Sequence, residues 1–243
     1  MSRDRTGREK PPALAPPFAP CRRKPGKAEG LFGPNSSAMI VAFGREIGAG
    51  GRDVGERVAA ALQTELLDNQ IVDLVAAKIG APASFVRARD ENVEGFVDRL
   101  FRVITAAYPE AYGPDGLPDW SEERLVQLTA SIIEEHARRE SLVVIGRGAP
   151  VLLKDRKDVF RVFVAGSIEG RIARICRRTG VTRDEALREI KKSDQHRAAY
   201  MQTYYHTDWR DPANYDIVVN TDRLGIEVAA EIITNATRSP VVG

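Results

Sequence analysis

Residues 39–62 read MIVAFGREIGAGGRDVGERVAAAL. A short apolar strand, Ile40 to Phe43, runs into a turn rich in glycine, and an amphipathic helix with apolar residues at helical spacing follows. A glycine turn between a strand and a helix presents backbone N–H groups and the positive end of the helix dipole to a ligand. The stretch therefore predicts an anion site, and phosphate is the anion that suits it best.

The turn departs from the phosphate-loop pattern G-x-x-x-x-G-K-[ST]. With Gly50 as the second glycine, Gly51 stands where the lysine belongs. With Gly51 as the second glycine, Arg52 and Asp53 replace the lysine and the Ser or Thr. The lysine and the first glycine are absent in both registers. Judged from the loop alone, a tight turn without a ligand is the alternative interpretation.

Length and composition suit one large domain, or one domain with insertions, of 243 residues in all. No apolar run approaches 18 residues, so we expect no transmembrane helix. Cys21 and Cys176 lie far apart, and neither they nor the three histidines follow a metal-ligand spacing. We expect a reduced, cytoplasmic setting.

Residues 1–38 differ from the rest in composition. They hold eight Lys and Arg against three Asp and Glu, and seven of the fourteen prolines, which predicts a disordered basic extension. A basic arm, a transit peptide and a start codon upstream of a functional Met39 stay open, and we favour a dispensable extension. The segment lacks the apolar region of a secretory signal. Without interleaved aromatic residues, we expect no specific nucleic-acid partner.

The rest of the chain alternates strands with helices. Four further segments are predicted strands, at residues 64–67, 141–145, 160–165 and 215–220, and a helix is predicted from Leu224 to about Asn235. The alternation predicts a parallel five-stranded α/β sheet with helices on both faces, in which ligands bind at the carboxyl ends of the strands. The glycine turn and the Gly146-Arg147-Gly148 turn would then share one cleft.

The region 171–210 concentrates basic residues, and Arg171, Arg174 and Arg178 fall on one helix face. A solvated helix surface is the plain interpretation of these residues. As a cluster before the last strand, they also fit a lid that closes on phosphates, because guanidinium groups match phosphate oxygens in geometry and charge.

Several segments together resemble the cytidylate kinase-like family, a branch of the P-loop nucleoside-monophosphate kinases, from Met39 to about Ile233. They are residues 43–52, 67–71, 144–149, 194–200 and 208–221. The resemblance implies a three-layer P-loop kinase fold over 39–237, with an acceptor-binding insert at about 69–120 and an arginine-rich lid at about 174–210. It also implies transfer of the γ-phosphoryl group from ATP to CMP or dCMP, with Mg²⁺ bridging the donor oxygens.

The resemblance assigns roles in the donor site and the lid. The donor loop corresponds to Gly48, Ala49, Gly50, Gly51 and Arg52, with Arg45 beside it as part of the family's own signature. Arg174 and Arg197 correspond to lid arginines, and they form the expected catalytic set together with Arg52.

Other positions are candidates for the acceptor site. Arg147 corresponds to the arginine that holds the acceptor phosphate, and Asp68 to an acidic residue that recognises ribose or base. Arg99 in the insert is a further candidate, although an exposed helix charge is its plainer interpretation.

The chain departs from classical cytidylate kinases at two places. They carry the loop lysine followed by Gly-Thr, and an acidic residue where this chain has Ile145. Asp53 either replaces the hydroxyl as a Mg²⁺ ligand or only complements the helix dipole.

The leading hypothesis is a nucleoside-monophosphate kinase in which Arg52 replaces the lysine. A nucleotide-binding regulatory module without catalysis and a kinase of another small metabolite are the alternatives, and the oligomeric state stays open.

Overall fold

The computed structural model describes residues 39–68, 70–78 and 122–238. Five strands form one sheet: β1 (Ile40–Arg45), β2 (Glu65–Leu67), β3 (Leu142–Ile145), β4 (Val159–Ala165) and β5 (Ile217–Asn220). Their order is β2-β3-β1-β4-β5, and every neighbouring pair is parallel. The prediction of a parallel five-stranded α/β fold is confirmed.

Helices connect the strands and cover the sheet. They are α1 (Gly51–Leu62), α2 (Gln70–Lys78), α3 (Glu122–Arg139), α4 (Ala149–Leu152), α5 (Ile168–Thr179), α6 (Arg183–Tyr205) and α7 (Thr221–Arg238). Of the insert expected at about 69–120, only α2 belongs to the described residues. Arg99 and the extension 1–38 lie outside them, so the predictions made for both stay predictions.

Two predicted boundaries near the end of the chain differ from the structure. β5 begins at Ile217 rather than at 215, and α7 begins at Thr221 rather than at Leu224. The backbone of α7 is non-helical at Gly225, with φ 73° and ψ 169°. Helical spacing did not indicate the first residues of α7, because residues 221–223 are polar and Leu224 is the first apolar residue of the helix.

The central strand β1 explains why the sheet carries two cores. Ile40 and Ala42 pack in one cluster with α2 and α3, whereas Val41 and Phe43 pack in the other with α1 and α7. All four side chains are fully buried, as expected for a strand covered on both faces. The carboxyl end of β1 therefore lies in the middle of the sheet edge.

Helices α5 and α6 form a hairpin beside this edge. Gly180 ends α5 in the left-handed conformation, and Thr182 begins α6 with a capping box that includes Glu185. Ile175 and Ile190 belong to the apolar contact between the two helices. Within the described residues, no helix combines the length and the apolar character needed to cross a membrane.

Candidate functional site

The glycine loop, residues 46–50, joins β1 to α1. Gly48 and Gly50 both have φ 76°, a conformation that glycine adopts without strain. Gly48 also needs to be glycine for space, since a Cβ there would lie 2.8 Å from the Arg171 carbonyl oxygen. The first N–H groups of α1 have no acceptor within the helix, so the loop and the helix N-terminus can bind an anion.

Three successive carbonyl groups of the loop accept hydrogen bonds from outside it. Arg171 Nε donates to the Ile47 carbonyl at 2.7 Å, and Arg174 Nη1 donates to the Gly48 carbonyl at 3.2 Å. Thr221 Oγ1 donates to the Ala49 carbonyl at 2.7 Å. These bonds fix the peptide planes of the loop, and with them the directions of its N–H groups.

A partly buried ion network lies against the loop. Glu46 accepts hydrogen bonds from the Gly166 N–H at 3.0 Å and from Arg210 Nη2 at 2.6 Å. Arg171, only 3% exposed, makes a bidentate pair with Asp194 at 2.7 and 2.9 Å and lies 3.3 Å from Glu46. Arg210 Nη2 also donates to Asp194 at 2.8 Å. Two guanidinium groups and two carboxylates thus connect the ends of β1 and β4 to α5 and α6.

Arg174 is engaged on the same side of the loop. Its Nη1 lies 2.9 Å from Asp222, which also accepts a hydrogen bond from the Ser167 N–H. Burial opposes ionisation of Asp222, but the bonds from Ser167 and the charge of Arg174 outweigh it and lower the pKa of that carboxyl. Arg174 therefore ties the loop to the start of α7.

Arg197 on α6 has a different environment. Its side chain is 28% exposed, and its nearest carboxylate oxygen is Asp194 Oδ1 at 4.0 Å. Nη1 is buried and has no hydrogen-bond partner among the described residues. Burial, and next the positive charge of Arg45, lower the pKa of Arg197 to about 9, so the group is still a cation at neutral pH. A guanidinium with a buried Nη1 that has no hydrogen-bond partner among the described residues can bind an anion.

The Gly146-Arg147-Gly148 turn follows β3. All three residues have positive φ, and Arg147 at φ 59° is in a conformation uncommon outside glycine. A Cβ at Gly148 would lie 2.5 Å from the ring of Tyr205, whose hydroxyl donates to the Arg147 carbonyl at 3.4 Å. The end of α6 therefore packs directly on this turn.

Acidic and basic side chains meet between β1 and β2. Arg45 Nη2 lies 3.6 Å from Asp68 Oδ1, and Arg52 Nε lies 3.7 Å from Asp68 Oδ2. Asp68 is buried, and its Oδ1 has no hydrogen-bond partner among the described residues. Arg52 is more exposed than Arg45 and also donates to Glu56 at 3.0 Å.

The structure brings most of the candidate residues to one edge of the sheet. Arg45, Asp68 and Arg147 stand at the ends of β1, β2 and β3, and Arg197 reaches the same edge from α6. Arg52 and Asp53 are exposed in the first turn of α1. Their roles in binding or catalysis stay predictions.

Helical spacing alone did not indicate the carboxylate partners of Arg171. It grouped Arg171 with Arg174 and Arg178, although Arg171 is buried and paired. Glu46 and Asp194 went unnoticed as members of one ion network. Both lie in segments that carried the family resemblance, which was the available signal.

A parallel sheet with the strand order β2-β3-β1-β4-β5, whose central strand ends in a glycine loop and a helix N-terminus, is the arrangement found in the P-loop class of α/β proteins. The family model described as "Cytidylate kinase-like family" matches residues 40–223. The chain therefore belongs to the cytidylate kinase-like family.

Individual relatives match over shorter stretches. A cytidylate kinase of Sulfurisphaera tokodaii is 33% identical over 82 residues, which cover 34% of this chain and 45% of the relative. A cytidylate kinase of Ignicoccus hospitalis is 30% identical over 102 residues, covering 42% and 59%. The chain thus spans about half the length of the curated relatives it matches.

A solved structure supports the fold. An uncharacterised protein from Eubacterium ventriosum superposes with a TM-score of 0.59 at 23% identity, covering 80% of this chain and 95% of that protein. At this identity the similarity shows a common fold.

Proposed function

We propose that this protein transfers the γ-phosphoryl group of ATP to a nucleoside monophosphate, with CMP and dCMP as the first acceptors to test. Membership of the cytidylate kinase-like family supports a phosphotransferase that acts on nucleotides. The observation that carries the proposal is Arg197, whose buried Nη1 lacks a partner among the described residues at the edge where the loop and the Gly-Arg-Gly turn meet. A transferring phosphoryl group would supply the missing acceptor.

The donor phosphates would lie on the glycine loop. Gly48, Ala49, Gly50 and Gly51 line the entry to α1, and Arg45 and Arg52 flank it. Backbone N–H groups and the helix dipole stabilise negative charge there. The hydrogen bonds to the loop carbonyls hold the loop in shape before ATP arrives, so less reorganisation accompanies binding.

The acceptor would bind at the ends of β2 and β3. Arg147 would hold the acceptor phosphate through its guanidinium fork. Asp68, whose Oδ1 is buried without a hydrogen-bond partner among the described residues, would accept a hydrogen bond from the ribose or the base. Arg99 is retained as an acceptor-binding candidate from the sequence.

In the reaction, an oxygen of the acceptor phosphate attacks the γ-phosphorus, the bond from that phosphorus to the bridging oxygen breaks, and ADP leaves with the bonding electron pair. Catalysis of this step rests on alignment and on neutralising charge at the phosphoryl oxygens. Arg197 would neutralise that charge. Arg174, already paired with Asp222 and bonded to the loop, would act by positioning the loop.

Kinase chemistry implies Mg²⁺, which would neutralise negative charge on the donor phosphates. Magnesium prefers oxygen ligands, often one carboxylate beside the phosphates. Asp53 fits this requirement, because its carboxylate is exposed at the loop and no described residue pairs with it. We therefore propose Asp53 as the protein ligand.

One alternative is a protein that binds a nucleotide and does not catalyse phosphoryl transfer. The loop lysine is absent, and Ile145 takes the place of an acidic residue. Ile145 is fully buried, and a Cβ at Gly55 of α1 would lie 2.7 Å from its Cδ1. A regulatory module would then bind ATP or CMP without turnover.

The test is a measurement of ADP release by the full chain with ATP, Mg²⁺ and each of CMP, dCMP, UMP and AMP, with calorimetry on the same sample. We expect turnover, fastest with a cytidine nucleotide. Binding of ATP without ADP release from any acceptor would favour the regulatory module. Turnover with UMP or AMP but not with CMP or dCMP would support kinase activity and refute the preference for cytidine nucleotides.

A further inference from the structure

The loop contains a reciprocal exchange of two residue types. In the register with Gly50 as the second glycine, the phosphate-loop pattern requires glycine at position 45 and lysine at position 51. This chain has Arg45 and Gly51. The glycine and the cation, six positions apart in the pattern, have therefore changed places.

The structure explains why the two positions depend on each other. A Cβ at Gly51 would lie 2.6 Å from Arg45 Cβ, 3.2 Å from its Cδ and 3.3 Å from its Cγ. Gly51 is the first residue of α1 and does not have a positive φ, so contact and not backbone conformation requires glycine. The stem of Arg45 occupies the space into which a side chain at 51 would extend.

The guanidinium of Arg45 extends toward the ends of the neighbouring strands. Its Nη1 touches the position where Gly146 would carry a Cβ, and its Nη2 lies 3.6 Å from Asp68 Oδ1. Its charge is also close enough to Arg197 to lower the pKa of that residue. Arg45 thus brings a positive charge to the cleft between the loop, β2 and β3.

Arg52 has a less suitable position. Its side chain is 48% exposed, against 22% for Arg45, and it donates to Glu56 one turn further along α1. Its Nε lies 3.7 Å from the Asp68 carboxylate, about as near as Arg45 Nη2 at 3.6 Å. Arg52 therefore differs from Arg45 in its greater exposure and in its pairing with Glu56 on the helix surface.

We infer that Arg45 supplies the cation that the missing loop lysine would provide, placed between the donor loop and the acceptor site where the γ-phosphoryl group would be transferred, and that Gly51 accommodates its stem. This inference rests on the proposed function and deepens it. Arg45 is a catalytic residue in this scheme, and Arg52 is not the substitute for the lysine.

The steric half of the inference is tested without nucleotide. Gly51→Ala in the wild-type background should lower the thermal midpoint by at least about 3 °C, because the new methyl group meets Arg45. In an Arg45→Gly background the same change should not lower it, since alanine favours the helix once the stem is gone. Equal effects in both backgrounds would overturn the steric coupling.

The charge is tested by a matched pair of variants that keep an aliphatic side chain and remove the guanidinium. Arg45→Met should weaken MgATP binding in calorimetry and lower turnover about a hundredfold, whereas Arg52→Met should change both by less than about tenfold. Far-ultraviolet circular dichroism checks that both variants fold. The reverse ranking would assign the lysine role to Arg52 and overturn the inference.

The exchange itself is tested by reversal. Arg45→Gly combined with Gly51→Lys restores G-x-x-x-x-G-K over positions 45–51. The double variant should bind MgATP at least about tenfold more tightly than either single variant, a non-additivity expected for residues in contact. A double variant no better than the weaker single one would overturn the inference. If the wild type does not bind MgATP, the proposed function is refuted. If the wild type binds MgATP and Arg45→Met binds it equally well, only the inference about Arg45 is refuted.

Discussion

Two arginines of the α5–α6 hairpin, Arg171 and Arg197, reach the same end of the sheet but differ in how completely their guanidinium groups are hydrogen-bonded. Arg171 donates to a loop carbonyl and to both oxygens of Asp194, and it lies beside Glu46. Arg197 is 4.0 Å from its nearest carboxylate oxygen and has a buried Nη1 without a hydrogen-bond partner in the part of the chain that the structure describes. The first arginine stabilises the folded chain, whereas the second has its hydrogen-bonding capacity open to a ligand.

Under the proposed function, one residue type stabilises the fold on α5 and binds a ligand on α6. A buried cation with complete partners is costly to disturb, because its removal leaves the partner carboxylates without compensation. A buried cation with incomplete partners lowers stability and gains its partner when an anion binds. The following experiments separate these two cases.

The largest effect should follow Arg171→Ala. Removing this guanidinium leaves Asp194 and Glu46 with less compensation beneath the loop, and we expect a loss of about 3–5 kcal/mol in the free energy of unfolding. Urea denaturation measures it. Arg183→Ala is the control, since its pair with Glu169 is more than half exposed and such pairs contribute about 1 kcal/mol or less. Equal losses in the two variants would refute the structural role of Arg171.

Arg197→Met should give the opposite result. Under the proposed function, turnover should fall by about 10²–10³-fold, equivalent to about 3–4 kcal/mol of transition-state stabilisation. The free energy of unfolding should stay the same or increase, because a poorly compensated buried charge is removed. Steady-state kinetics and urea denaturation on one preparation measure both. A variant that unfolds as readily as Arg171→Ala would show that Arg197 also is structural.

A pair of glycines tests the packing of α6 on the Gly-Arg-Gly turn. Gly148 and Gly180 have nearly equal φ values of 72° and 75°, but only Gly148 has a ring beside it. Gly180→Ala should cost about 1–2 kcal/mol for the left-handed backbone alone. Gly148→Ala should cost about 1 kcal/mol more, because the methyl group meets Tyr205. Equal thermal midpoints for the two variants would contradict this packing.

The smallest effect should be a dependence on pH. The folded-state pKa of Arg197 is lowered to about 9, below its unfolded value, so above pH 9 the unfolded state binds more protons. The penalty for burying the cation is present at neutral pH and is relieved as the pH rises through 9. Relative to Arg197→Met, the wild type should therefore gain stability between pH 8 and 10. Urea denaturation across this range measures the difference in free energy of unfolding between the wild type and Arg197→Met. A difference that stays constant with pH would contradict a lowered pKa of Arg197.

Much of the fold followed from local patterns. The apolar runs of β1, β3 and β4 and the helices between them predicted a parallel sheet, and the sheet is there. Some boundaries differed, such as the start of α7 ahead of the break at Gly225. Thr221 and Asp222 have low helix propensity, so local propensity places the start of this helix too late.

The candidate site was predicted less completely. Spacing along a helix placed Arg171 and Arg174 on one face, but it could not tell which arginine is buried or which carboxylate it meets. Glu46 and Asp194 are more than a hundred residues apart, and they meet Arg171 only because the sheet brings β1 beside β4 and α6 beside α5. Likewise, the sequence shows the departures from the phosphate-loop pattern at positions 45 and 51 as two separate substitutions. Only the contact between the stem of Arg45 and Gly51 relates them to each other.

The sequence by itself determined the alternation of strands and helices, the glycine loop at the end of β1 and the membership of a family, because these depend on local hydrophobic periodicity and on contiguous motifs. Only the tertiary structure decided which charges are compensated. Electrostatic energies depend on distance and burial between groups far apart in the chain. The fold therefore separates Arg171, which holds the loop, from Arg45 and Arg197, which face the site where we propose that phosphate binds.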